Sequence, residues 1–361
     1  MPNPPATAGL PGAVAEQLSD YLAGRVAEAA AVGPAAEEAA RLVSDFVLGG
    51  GKRLRPLFAW VAYAGLAPAA PEAAHRAALK AVSALELLQG CALIHDDVID
   101  ASDTRRGRPT VHRLAEARHR EADWLGDAAD YGRSVAILAG DFSLIWADDL
   151  VTEAGLEPAA LARAFGPWRA MRAEVIGGQL LDLGLENSGD ESLEAALTVN
   201  RFKTAAYTVE RPLHLGAAIA GAGEETIARL RRYGRDVGIA FQLRDDLLDV
   251  FGDPAATGKQ TGSDLREGKR TALVAEALRL LDASDQAAAA ELRAGLGTVS
   301  SPAEIDRLAG IIADSGAPAD IERRIEELTD SGLDALGHDS VPAGLRGELE
   351  RLAERATRRD R

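Results

Sequence analysis

The stretch LIHDDVID, residues 93–100, ends a long apolar run with three acids, Asp96, Asp97 and Asp100. Behind it Leu85, Leu88 and Ala92 recur at helical spacing, so 73–100 reads as a helix that carries Asp96 and Asp100 on one face with Asp97 beside them. Carboxylates at the C-terminal end of a helix oppose its macrodipole as well as one another. A cation has to come from elsewhere. The same spacing returns in 12–31, 133–152, 160–185 and 224–251, β-branched clusters are sparse, and Ala, Leu, Glu and Arg dominate. An all-α fold follows. Breaks at Gly49–Gly51, Ala67–Pro71, Gly107–Pro109, Gly166–Pro167 and Gly252–Gly262 separate the expected helices, and none resembles an interdomain linker.

The 361 residues are 47% hydrophobic, enough for a sizeable core. A net charge of −16 argues against nucleic-acid binding by bulk attraction and requires any anion to be held in a local basic pocket. The single cysteine, Cys91, excludes an intramolecular disulfide, and MPNPPATAGLPG lacks the basic and apolar regions of a signal peptide, so the expected location is the cytoplasm. No stretch approaches the roughly 18 uncharged apolar residues of a membrane span; the nearest is Leu213–Ala222. The charged C-terminal segments IERRIEEL and GELERLAERATRRDR read as solvated helix faces.

The opening pattern returns in FQLRDDLLDVFGDP, residues 241–254, with Asp245, Asp246 and Asp249 again closing an apolar helix. A single D-D-x-x-D is often a charged surface turn; two copies on helices of one bundle can line a ligand site. Six crowded acids fit poorly with a glycosidase, which needs two single carboxylates of separated pKa. Carboxylates without His or Cys suit hard cations, and Mg²⁺ in particular prefers one or two of them plus water and phosphate oxygens. Neither cluster has EF-hand spacing, and no H-E-x-x-H motif is present.

Phosphate-binding candidates lie beside both clusters. GGGKRLRP, residues 49–56, is not a P-loop, because Phe46 and Arg53 stand where Gly and Ser or Thr are needed. Its glycines still permit close backbone approach, and Lys52, Arg53 and Arg55 collect charge at a helix start. Arg105 and Arg106 follow the first acidic cluster, Lys203–Thr204 precede an apolar helix, and Lys259 and Lys269 follow the second cluster. Each base alone could be surface charge; together they form a local site for multiply charged phosphate.

In this motif order, GGGKRLRP, ELLQGCALIHDDVIDASDTRRG, GGQLLDL, KT, FQLRDDLLDVFGDP, GK and GK, the chain resembles the trans-isoprenyl diphosphate synthases, the polyprenyl synthetase family. The resemblance implies a mostly antiparallel all-α bundle around a deep cavity, a homodimer, and a single domain over 1–361, with its motif-bearing core at about 40–275 and C-terminal helices over 276–361. It also implies that Asp96, Asp100, Asp245 and Asp249 hold Mg²⁺, three ions per site, on an allylic diphosphate. Arg105, Lys203, Thr204, Gln242, Lys259 and Lys269 would bind that diphosphate, Gln179 and Asp182 would support it, and Lys52, Arg55, Gln89 and Arg106 would bind isopentenyl diphosphate. Asp96, Asp100, Arg105, Lys203 and Asp245 would carry catalysis, and His95 would make a local hydrogen bond.

The residues four and five before Asp96, Ala92 and Cys91, would meet the growing tail early, and the family's shorter-product members carry bulky aromatics there. With small residues at these positions, Leu88 or the Phe142–Trp146 segment becomes the deeper floor. The same small residues equally serve close helix packing. The expected product is geranylgeranyl diphosphate, followed by longer polyprenyl and then farnesyl diphosphate. A class I terpene cyclase would pair its Asp-rich motif with an N-S-E pattern and needs no GKRLRP pocket, and a non-catalytic subunit should have lost acidic ligands; both readings rank lower.

Overall fold

The computed structural model describes residues 7–252 and 261–357. It divides into two compact helical units, Met1–Trp168 with Pro212–Gly223, and Arg169–Arg211 with Glu224–Arg361. The predicted Lys259 lies outside the described residues.

In the first unit α1 (Leu10–Val32) buries Leu10, Val14, Leu18 and Leu22, one residue per turn. Gly33, with φ 152°, ends α1 and lets Pro34 begin α2 (Pro34–Leu48), which packs back on it. After α3 (Leu54–Leu66), α4 (Glu72–Ile99) runs through the middle of the unit. Every residue from Ala81 to Leu88 is buried, the pattern of a helix covered on all sides. An 18-residue window of α4 has a mean hydropathy of 1.5, enough by length and composition for a membrane span, although the sequence reading found no such stretch; 72% of that window is buried inside the fold. A two-residue hairpin, β1 (Thr104–Arg105) and β2 (Arg108–Pro109), precedes α5 (Val111–Glu121) and α6 (Ala128–Thr152). Gly90 lets α6 come close to α4, since a Cβ there would lie 2.8 Å from Ser143 Oγ.

One expected break is absent: α7 (Pro158–Ser188) continues through Gly166 and Pro167. Proline removes one backbone donor. The next residue offsets this, because Trp168 is buried and its indole Nε1 donates to Asp148 Oδ1 on α6 at 2.7 Å. Packing overrides the local propensity.

The second unit surrounds α10 (Glu224–Phe251). Against it lie an eleven-residue π-helix (Asn200–Glu210), α11 (Ser263–Glu267), α12 (Ala272–Ser284), α15 (Ala317–Ala335) and α16 (Ala343–Thr357), with α8 (Leu193–Val199) on the π-helix and on α12, and α13 (Gln286–Gly295) and α14 (Pro302–Asp314) packed on the other C-terminal helices; the chain leaves the π-helix into α9 (Arg211–Ala220), most of which belongs to the first unit. The charged C-terminal segments are amphipathic, and Ile321 and Ile325 join Leu243, Leu247, Leu273 and Leu278 in one core.

Candidate active site

In α4 the last turn presents Asp96 and Asp100 four residues apart, both partly exposed, while Asp97 turns inward and is 1% exposed. Arg105, reaching back from β1, donates through Nε to Asp97 Oδ1 at 2.6 Å and through Nη2 to Asp96 Oδ2 at 3.4 Å. This guanidinium supplies part of the cation that the sequence lacked locally. Burial pushes Asp97 up to about 6, with Asp96 and Asp100 adding to the shift and Arg105 opposing it. Burial alone would lower Arg105, but Asp97 and Asp96 outweigh it and hold the guanidinium above its usual value.

In α10 the same pattern recurs in the second unit. Asp245 and Asp249 are partly exposed and Asp246 is buried. Here a neutral amide takes the place of the guanidinium: Gln242 Nε2 donates to Asp246 Oδ1 at 2.7 Å. Burial pushes Asp246 up to about 7, against that hydrogen bond and with the help of Asp245 and Asp249. Asp249 is drawn toward the start of α11, accepting from the Ser263 hydroxyl and, at 3.0 Å, from the Asp264 N–H.

The predicted anion cradle of the first unit has two walls. In the first, Gly50 and Gly51 take φ of 105° and 138°, a conformation open to glycine. In the second, Arg106 and Gly107 form the two-residue turn of the hairpin, with φ of 54° and 73°, as a type I′ turn requires. Arginine in the left-handed region costs roughly 1 kcal/mol. Its guanidinium donates to Gly50 O and lies over Gly51, where a Cβ would meet it at 3.2 Å. Burial and the fields of Arg53, Arg105 and Arg55, opposed by Glu86, lower the Arg106 pKa. Four guanidinium groups therefore act on one small region, and Gln89, Gly90 and Leu93 line its cleft with Arg53, Glu86 and Arg106. Lys52 is exposed beside it and Arg55 is buried.

In the second unit, Lys203 and Thr204 lie half-buried on the π-helix, and Lys203 pairs with Asp182 of α7, a contact the sequence reading did not anticipate. Gln179 lies one turn before Asp182 and is half-buried. The wide backbone is confirmed at its exit, where Arg211 N–H donates to Ala206 O five residues back. It is accommodated by glycine on both sides. A Cβ on Gly178 of α7 would strike the Lys203 backbone, and one on Gly238 of α10 would lie 2.7 Å from the Ala205 Cβ. Lys269 is also half-buried, with its ammonium 2.6 Å from Glu267.

Among the described residues, no three His, Cys, Asp or Glu side chains converge into a ready-made metal cage. A small hard cation does not need one, because Mg²⁺ takes one or two carboxylates and completes its shell with water and phosphate oxygens. The pairs Asp96/Asp100 and Asp245/Asp249 match that donor set. Of the tail-pocket residues, Leu88 is a core side chain, Cys91 is nearly buried with Sγ 3.7 Å from His95 Nδ1, and Ala92 is partly exposed. Burial, with Asp141 adding, pushes the Cys91 thiol up to about 12, so it stays protonated. His95 Nε2 lies 2.9 Å from Ile137 O, the local hydrogen bond expected of it. The Phe142 and Trp146 rings stack with centroids 5.1 Å apart.

The polyprenyl synthetase family model matches residues 37–309. The chain belongs to the polyprenyl synthetase family. Like other members of that family it is a prenyltransferase enzyme. A solved geranylgeranyl pyrophosphate synthase from Corynebacterium glutamicum, complexed with isoprenyl diphosphate and magnesium, is similar at 49% identity and a TM-score of 0.93, covering 98% of this chain and 99% of that one. A geranylfarnesyl diphosphate synthase from Aeropyrum pernix is 34% identical over 297 residues, 81% of this chain and 85% of that protein. A farnesyl diphosphate synthase from Mycobacterium bovis is 32% identical over 304 residues, 84% of this chain and 78% of that protein. Within the family's motifs, residue type alone hides the buried roles of Asp97 and Asp246, the Arg53–Glu86 pair and the π-helix with its flanking glycines.

Proposed function

We propose that the protein is a geranylgeranyl diphosphate synthase, which condenses isopentenyl diphosphate with an allylic diphosphate, and that its two compact units work as one catalytic domain. The observation that carries this reading is the doubled motif: two helix ends, each with two partly exposed aspartates four residues apart and a third held inward by a donor. Asp96, Asp100, Asp245 and Asp249 would hold Mg²⁺, three ions in all. When bound, Mg²⁺ would neutralise the diphosphate and make it a better leaving group.

Arg105, Lys203, Thr204, Gln242, Lys259 and Lys269 bind the allylic diphosphate and stabilise the charge that builds on its bridging oxygen as the C–O bond breaks and that oxygen takes the electron pair. Lys52, Arg55, Gln89 and Arg106 orient isopentenyl diphosphate so that its double bond attacks the allylic cation. The new C–C bond leaves a tertiary cation, which loses a proton to the released diphosphate and yields an allylic diphosphate five carbons longer. No side chain serves as a nucleophile. Small Ala92 leaves room for the tail, and the similarity to a synthase of geranylgeranyl pyrophosphate at 49% identity supports a twenty-carbon product.

The reading includes a homodimer in the cytoplasm. Exposed apolar residues support an oligomer: Ile137, Leu138 and Ile145 on α6, and Ile176, Leu180 and Leu181 on α7. Purified protein is incubated with Mg²⁺, labelled isopentenyl diphosphate and, separately, dimethylallyl, geranyl or farnesyl diphosphate. A single twenty-carbon product is expected. A twenty-five-carbon product, as the name of the Aeropyrum relative describes, would correct the chain length. No incorporation with any primer would overturn the reading.

A further inference from the structure

We propose that Arg53 and Glu86 are a positioning pair that sets the isopentenyl-diphosphate half of the site; the inference rests on the function proposed above. Arg53 sits in the middle of GGGKRLRP, and by sequence it is one more cation for an anion. The structure turns it the other way. Its backbone is left-handed, with φ 50°, and its side chain is buried, donating to Val47 O at 2.7 Å and pairing with Glu86 on α4. Glu86 is 4% exposed.

A buried ion pair of this kind adds little net stability, because desolvation offsets the attraction, but breaking it leaves a charge stranded. Its geometric effect is local and specific. Arg106 of the hairpin holds the glycine loop at Gly50, and α4 holds it at Arg53 through Glu86. Lys52 is suspended between these two anchors, and Arg55 follows in the first turn of α3. Glu86 lies three residues before Gln89, so the carboxylate and the predicted substrate amide share one face of α4, and both line the cleft beside Arg106. Glu86 also opposes the mutual repulsion of the guanidinium groups around Arg106. One side chain thus fixes the loop and moderates the charge of the cradle.

The test separates the two substrates. Arg53→Lys and Glu86→Gln are expected to raise KM for isopentenyl diphosphate about tenfold while KM for the allylic partner changes less than about twofold. A general structural defect would move both. The double variant R53M/E86L removes both charges and is expected to recover the melting temperature of the wild type, but not its KM for isopentenyl diphosphate. An unchanged KM in the single variants, or a KM restored together with stability in the double variant, would overturn the proposal. Binding of inorganic diphosphate without Mg²⁺, read by calorimetry, gives a measure independent of turnover. It is expected to be about tenfold weaker in Glu86→Gln, and equal affinity counts against the pair. Wild-type protein that incorporates no isopentenyl diphosphate would overturn the function and leave this binding comparison intact.

Discussion

The ends of α4 and α10 carry the same five-residue pattern but handle its charge differently. In α4 the inward aspartate, Asp97, meets a guanidinium; in α10 its counterpart, Asp246, meets an amide. Among the described residues, the inward acid of the first cluster is thus held by a cation and that of the second by a neutral donor. The fifth residues differ as well. Asp100 closes α4, its N–H donating to Asp96 O at 2.8 Å, whereas both Asp249 oxygens accept from Ser263 and Asp264 at the start of α11. The lesson is that a doubled motif need not be a doubled site. At the α4 end, Arg105 already holds Asp96 and Asp97 together before any metal arrives.

The largest effect is expected where the motifs are alike. Asp96→Ala and Asp245→Ala should each lower kcat at least about 100-fold, the scale for removing a group that stabilises charge in the transition state. The melting temperature should hold, because each substitution removes one acid from a self-repelling cluster. Near-wild-type turnover in Asp96→Ala with loss in Asp245→Ala would show that only one helix end serves the reaction.

Stability should separate the two ends. Arg105→Ala strands Asp97 and is expected to cost about 3 kcal/mol near pH 8. Gln242→Ala removes only a neutral donor from Asp246 and should cost about 1–2 kcal/mol. Urea denaturation of both variants measures the difference, and equal costs would mean that the guanidinium and the amide do the same work.

Next in size come the glycines beside the π-helix. Gly178→Ala places a methyl group against the Lys203 backbone and Gly238→Ala one against Ala205. Each should cost about 1–3 kcal/mol by overpacking. Gly178→Ala should also raise KM for the allylic substrate, because it moves the Lys203 backbone itself. If neither KM nor stability changes, the wide turn does not depend on close approach.

Much of this was legible in the sequence, and the exceptions have physical causes. Apolar spacing placed α4, α6 and α10 to within a few residues, because each buries a stripe or more of its surface. The break expected at Gly166–Pro167 does not occur, since the burial of Trp168 offsets a missing backbone donor. The π-helix left no periodic signal of its own; Gly178 and Gly238 mark it only once tertiary neighbours are known. Arg53 looked like a ligand because residue type does not reveal direction, and its left-handed backbone turns it inward to Glu86. The Asp-rich ends were legible as a cluster but not as a division of labour, which depends on which acid each helix buries.

The smallest predicted effect is a pH dependence, and it sharpens the comparison most directly. Both buried aspartates have folded pKa values above the ordinary carboxylate value, about 6 for Asp97 and about 7 for Asp246. Between pH 4 and these values the folded chain binds protons that the unfolded chain has released, so stability falls as pH rises. The contribution is fully present below about pH 4 and is lost through pH 6 for Asp97 and through pH 7 for Asp246. In metal-free protein the urea midpoint should therefore decline from pH 5 to pH 7.5. Asp97→Asn should flatten the lower part of that decline and Asp246→Asn the upper part, between pH 6 and 7. An Asp246→Asn midpoint that falls as steeply as wild type over that interval would place the proton elsewhere. A decline that ends at the same pH in both variants would mean that guanidinium and amide leave their aspartates equally reluctant to ionise, and the contrast between the two helix ends would reduce to geometry.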